Sequence, residues 1–205
     1  MKLNTYPGAP NPRRVHIYLA EKGISVPFER VDIMTRANRT PEFLADVNPM
    51  GGIPVLALDD GTHIAESVAI CRYFEALHPE PALFGRTPAE IGRIDMWNRR
   101  VELSFMMAVG MVWVHGSPLT AKVVKKQIPE MAEQARALVR GAFAFLDAAL
   151  EKRAFIAGDA YSMADILALT TFDFAGQLNQ LHPEQEQKSL LRWHAEVSAR
   201  PSAKA

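Results

Sequence analysis

The apolar residues of this chain change period near residue 80, and that change limits the fold more than any other feature. Before it, short strand-like runs alternate with helical ones; after it, apolar residues recur three and four apart and no strand-like run follows. A chain divided in this way builds a small mixed sheet covered by helices, then a helical domain. KLNTY (2–6) reads as a strand and residues 12–22 as a helix, with Val15, Tyr18 and Leu19 on one face and Gly23 as its C-cap. PFERVDI (27–33) reads as a second strand, and a strand-helix-strand start implies a parallel pair. PEFLADV (41–47) is a short helix. IPVLAL (53–58) and THIA, joined through Asp59, Asp60 and Gly61, form a hairpin that runs into the helix ESVAICRYFEALH.

HPEPALFGRTP (78–88) has neither period and reads as a linker, which sets residues 1–78 as one domain, 79–88 as the connection and 89–205 as an all-helical domain. In the latter, Ile91, Ile94, Val101, Phe105, Ala108 and Val112 mark one helix, with Asn98 in an otherwise apolar slot. Ile128, Met131, Ala135, Leu138, Ala142, Phe145 and Ala149 mark the buried face of a second. YSMADI (161–166) is a helix start: Ser162 and Asp165 make a capping box, and Tyr161 packs on Ile166. The role of that motif is structural.

Composition excludes several functions. Lysine plus arginine equal aspartate plus glutamate at 23 each, so net charge draws the chain to neither nucleic acid nor an anionic membrane. The longest nearly apolar run, FMMAVGMVWV (105–114), is too short to span a bilayer, and MKLNTYPG lacks the apolar core of a secretory signal. The one cysteine, Cys71, lies in an apolar helical pattern and reads as packing in a reducing, cytoplasmic setting. A small-molecule partner is expected, and no metal.

Chemistry concentrates in three places. TYPGAPNPRRV (5–15) joins a strand to a helix through three prolines and a glycine, a stiff turn that presents its groups in a set place. Asn11 before Pro12 has the arrangement of an N-cap with proline at N1. In IPVLAL, Pro54 suggests an edge strand and a cis bond, leaving the Ile53 backbone free to pair with an extended peptide. Glu66 and Ser67 open a helix, where free amides receive a carboxylate and the acid can hold an ammonium group. Together these describe a receptor for a small peptide with an amino-acid head.

GAPNPRRVHIYLAEKGI, NPMGGIPVLALDDGTHIAESVAICRYFEALHP and FIAGDAYSMADILAL resemble the cytosolic glutathione transferase family over nearly the whole chain. The resemblance implies an α/β thioredoxin-like N-terminal domain, an all-α C-terminal domain, a homodimer, and glutathione bound by the first domain as co-substrate. It further implies that Ile53, before the cis Pro54, pairs with the cysteinyl backbone, that Glu66 and Ser67 hold the γ-glutamyl end, and that Asn38 reaches the glycine end. Gly52 stands where many members carry lysine or glutamine. The activating residue is also unusual: the serine of the serine-using classes falls on Ala9, the tyrosine of others near Thr5, and neither Pro10 nor Asn11 is cysteine.

Asn11, similar in place to an asparagine of the nu class, is one candidate to stabilise the thiolate, and Tyr6 or Thr5 would serve if the turn is shifted. His115 with Ser117, in VHGSP at a helix end, loosely matches relatives that use a histidine and a serine through water. The equally simple readings are a helix cap for Asn11 and a favourable dipole partner for His115. Tyr6, Phe105, Met111 and Trp113 are expected to line an apolar co-substrate site. The function expected is conjugation of glutathione to small, mostly apolar electrophiles. Alternatives are a glutathione-dependent disulfide reductase or peroxidase, and a glutathione-binding module without turnover.

Overall fold

In the computed structural model, which describes residues 1–205, the early alternation becomes one four-stranded sheet. Its strands are β1 (Lys2–Thr5), β2 (Phe28–Arg30), β3 (Val55–Ala57) and β4 (His63–Ala65), in the order β2-β1-β3-β4. β1 runs parallel to β2 with Leu3 opposite Phe28, and antiparallel to β3 with Leu3 opposite Leu56. The β3–β4 hairpin sets Leu56 against Ile64. Helices α1 (Pro10–Lys22), α2 (Pro41–Asp46) and α3 (Ser67–Leu77) complete this part.

Two features differ from the sequence reading. β2 stops at Arg30 and every residue in it is exposed, as befits an edge strand with one neighbour. β3 is not an edge strand: it pairs with β1 on one side and β4 on the other, and Pro54 lies just ahead of it, where no ladder bond is lost. The Ile53–Pro54 peptide is cis, as expected, and so is Glu80–Pro81.

α1 accepts prolines in its first turn because those amides have no intrahelical partner, and it ends where Gly23 turns left-handed at φ 65°. α2 starts at Thr40, whose hydroxyl accepts from the Phe43 amide at 3.2 Å.

The chain forms two compact units, residues 1–83 with 201–205, and residues 84–200. The division falls between Leu83 and Phe84. The last five residues, assigned by period to the helical domain, fold with the first unit, because a short 3-10 turn at Pro201–Lys204 packs on α1.

The second unit is all helical: α4 (Pro88–Arg100), a π-helical turn at Val101–Met106, α5 (Met107–Gly116), α6 (Pro129–Leu150), α7 (Met163–Asn179) and α8 (Lys188–Ser198). α7 is its axis, burying ten consecutive residues from Met163 to Phe172, the pattern of a helix packed on all sides. The core face of α6 is Ala132, Ala135, Val139, Phe143, Leu146 and Leu150. That corrects the expected face: Leu138 is 59% and Phe145 51% exposed. α6 carries two apolar stripes at helical spacing, and spacing alone cannot say which faces inward. The outward stripe lines an open groove of about 750 Å³ with Leu103, Met107 and Met111.

Candidate functional site

The segment from Asn48 to Pro54 is built to hold a backbone in place. Its three carbonyls at Met50, Gly51 and Gly52 each accept from a different side chain: Arg39 Nη1 at 2.9 Å, Asn38 Nδ2 at 2.7 Å and Asn48 Nδ2 at 2.9 Å. Asn48 also turns the segment, accepting from the Met50 amide at 3.0 Å while its carbonyl takes the Gly51 amide at 2.8 Å. Gly51 is required here. Its φ is +62°, and a Cβ would stand 2.6 Å from Arg39 Nη1 and 2.9 Å from the Asn38 carbonyl. The segment leads into Ile53, whose side chain packs on the cluster of Val31, Phe43 and Val55. The ladders begin only at Val55, so the Ile53 backbone serves neither neighbouring strand. Asn38 therefore braces the loop, a role its sequence position did not reveal.

Glu66 and Ser67 stand at the start of α3 as expected, with a geometry that sequence could not show. Glu66 is the N-cap, exposed, at φ 67° and ψ 117°, a conformation that costs a side-chain-bearing residue on the order of 1–3 kcal/mol. Such strain outside glycine concentrates at sites where a side chain must be aimed. Ser67 is buried, and its Oγ accepts from the Arg14 guanidinium at 3.1 Å. The hydroxyl proton is thereby left to donate elsewhere, beside the free amides of the helix start. Arg14 itself is buried, and its positive charge adds to the anion-favouring end of the helix. Nothing in the sequence analysis singled out Arg14; a second arginine following Arg13 on a helix face shared with Val15 and Tyr18 was the available signal.

The first turn of α1 departs from the expected cap. The N-cap is Ala9, which has no side chain to offer, and Asn11 lies inside the turn. Its Oδ1 is buried and receives no hydrogen bond. The alternatives at the end of β1 look different. Thr5 is fully buried and its hydroxyl is engaged with His16 Nε2 at 2.9 Å, while the Tyr6 ring lies under the Arg30 guanidinium at 4.7 Å. Burial lowers the His16 pKa. Cys71 is wholly buried, and burial pushes its thiol pKa far up, so it is no nucleophile.

In the helical unit, His115 closes α5 and its Nδ1 accepts from the Ile128 amide at 3.4 Å. Ser117 is the C-cap of that helix, buried, with Oγ accepting from the Leu119 amide at 3.3 Å. Of the apolar candidates, Phe105 and Met111 line the same open groove, Phe105 from the core, where it stands edge-on to Phe143 at 5.3 Å; Trp113 stands edge-on to Phe174 at 5.6 Å.

A four-stranded mixed sheet with three helices, joined to an all-helical unit, is the two-part architecture of a thioredoxin-like domain followed by a helical domain. Residues 9–77 match the glutathione S-transferase N-terminal domain and residues 105–201 the glutathione S-transferase C-terminal domain. Glutathione S-transferase 2 of Saccharomyces cerevisiae is 40% identical over 201 residues, covering 97% of this chain and 85% of the relative. The solved structure of Gtt2 from the same yeast superposes with a TM-score of 0.93 at 39% identity, over 100% of this chain and 99% of that one. A glutathione S-transferase domain-containing protein from Marinobacter aquaeolei VT8 gives 0.93 at 38% identity, over 98% and 99%. The chain belongs to the glutathione S-transferase family.

Proposed function

We propose that the protein is a glutathione transferase that activates the bound thiol with an amide rather than a hydroxyl, and conjugates the thiolate to small apolar electrophiles in the cytoplasm. Family membership supports the transferase activity. The observation that carries the activation is Asn11: an amide on the first turn of α1 whose buried oxygen has no partner, beside a residue, Ala9, that offers no hydroxyl. Unrestrained at that oxygen, the amide can turn about its terminal torsion and direct its NH₂ at a sulfur, adding to the positive end of the helix. A glutathione thiol of pKa about 8.5 is largely protonated at pH 7, so each donor aimed at the sulfur raises the reactive fraction.

The peptide part is read by unit 1. Ile53 offers a free strand-like backbone to the cysteinyl residue. Glu66 receives the ammonium of the γ-glutamyl end, and Ser67 with the α3 amides receives its carboxylate. In the reaction the thiol proton leaves to water or a base, the sulfur forms a bond to the electrophilic carbon, and the displaced group departs with the bonding electrons. Trp113 is retained as a contact of the apolar substrate; Phe105 serves packing. His115 and Ser117, at the end of α5, are the base and its partner, acting on the thiol proton through water.

Thiolate absorbance of bound glutathione against pH tests the reading. The bound thiol should titrate below its solution value in the parent, and Asn11→Ala should raise it by about one unit, equivalent to about 1.4 kcal/mol. A bound thiol that titrates as in solution would overturn the proposal. Should His115→Ala raise it more than Asn11→Ala, activation passes to the histidine.

The protein pairs as a homodimer through the outward face of the helical unit. Leu103, Met107, Leu138 and Phe145 are each at least half exposed around the same groove, an apolar patch that monomers seldom leave uncovered. Sedimentation of Phe145→Glu should show monomers where the parent shows dimers.

A further inference from the structure

Unit 1 is made of two separated pieces of chain, and the second piece is only five residues long. Pro201–Lys204 forms a 3-10 turn against α1, with Ser202 and Ala203 each 7% exposed. Arg13 Nη2 donates to the Ala203 carbonyl at 2.9 Å, and the Ser202 hydroxyl donates to Glu21 near the other end of α1. A segment held by a guanidinium and a carboxylate, with Ser202 and Ala203 buried, is fastened to α1.

The place of that fastening matters more than its strength. Arg13 and Arg14 follow directly in the turn that carries Asn11, and they are anchored to different partners: Arg14 to Ser67 at the start of α3, Arg13 to the chain's last turn. The turn that carries Asn11 is thus tied to the Glu66–Ser67 end through Arg14 and to the 201–204 turn through Arg13.

Resting on the thiol-activation reading above, we infer that residues 201–205 act as a positioning strap, and that Arg13, through Ala203, and Ser202, through Glu21, are positioning residues for thiol activation. Neither touches the sulfur. They keep the first turn of α1 in place while Arg14 joins that turn to the start of α3, so that the head and the thiol of one tripeptide are served together.

The test uses the full chain, a chain ending at Arg200, Arg13→Met and Ser202→Ala. Two readouts are taken: the thiolate titration of bound glutathione, and hydrogen exchange of the α1 amides without glutathione. Truncation and Arg13→Met should speed exchange in the first half of α1, raise the bound thiol pKa by about half a unit or more, and raise KM for glutathione several-fold. Ser202→Ala should do the same to a smaller extent. If the truncated chain does not fold, Arg13→Met carries the test alone. Faster exchange with an unmoved thiol titration would overturn the inference, since the strap would then be merely structural; unmoved exchange would overturn it as well. A parent whose bound thiol titrates as in solution would count against the functional reading, and exchange would then judge whether the strap holds α1.

Discussion

α1 and α7 begin with turns of similar appearance, a polar residue beside apolar ones, and the two turns settle their hydrogen bonds in opposite ways. At α7, Asp165 accepts four times: from the Ile156 amide at 2.8 Å and the Trp193 indole at 2.9 Å on Oδ1, and from the Ser162 amide at 2.9 Å and hydroxyl at 3.1 Å on Oδ2. Nothing there is left to bind a ligand. At α1 the cap is an alanine and the Asn11 oxygen is buried without a donor. A closed polar network specifies the packing of a core, whereas an open one holds bonding capacity for something that arrives later. Two helix starts that a sequence reader would file together therefore divide into one whose polar groups are all satisfied and one with a buried acceptor left open.

The largest effect that would sharpen this contrast is at α7. Asp165→Ala leaves three buried N–H donors without an acceptor and should cost about 3–5 kcal/mol of stability, read from the denaturant midpoint. Asn11→Leu should behave in the opposite sense. It removes a buried acceptor that nothing satisfies, so the midpoint should hold or rise by up to about 1 kcal/mol while thiol activation is lost. A strongly destabilised Asn11→Leu would break the comparison, because Asn11 would then be as structural as Asp165.

The smallest effect concerns pH, where the two ends should slope in opposite directions. Burial lowers the His16 pKa in the folded state, so the folded unit binds that proton less well than the unfolded chain. The contribution is whole above the unfolded value near 6.5 and is lost as pH falls. Burial pushes Asp165 up to about 6 against the pull of its four donors. The folded state then holds that proton more tightly than an unfolded aspartate near 3.9, and the contribution present at low pH is lost as pH rises through 6. Denaturation midpoints from pH 4 to 8 should therefore lose acid sensitivity in His16→Gln and lose the decline toward neutral pH in Asp165→Asn. Parallel midpoint curves for parent and variants would contradict both assignments.

The legible part of this protein was local. The strand-helix alternation, the Asp59–Gly61 hairpin, the Gly23 cap, the cis Pro54, the buried Cys71 and the Ser162–Asp165 start depend on neighbours within a few residues, where backbone stereochemistry and short side-chain bonds decide. The illegible part needed residues far apart in the chain to meet. β3 became interior because β1, fifty residues away, took the edge that Pro54 had suggested was free. Leu138 and Phe145 faced outward because α6 carries two apolar stripes and its neighbours buried the other. Ala203 reached Arg13 across 190 positions.

Sequence by itself determined the family and the division into a mixed-sheet part and a helical part, and it singled out Ile53, Glu66, Ser67 and Asn11 as candidates, since all of these follow from motifs of short range. Tertiary structure alone decided that Asn11 sits inside its turn without a partner, that Glu66 is held at a positive φ, that Arg14 leaves the Ser67 proton free to donate, and that the chain's last turn returns to α1. The reason is physical: whether a polar atom is satisfied depends on every group that packing brings within about 3 Å, and packing is settled only when the whole chain has folded.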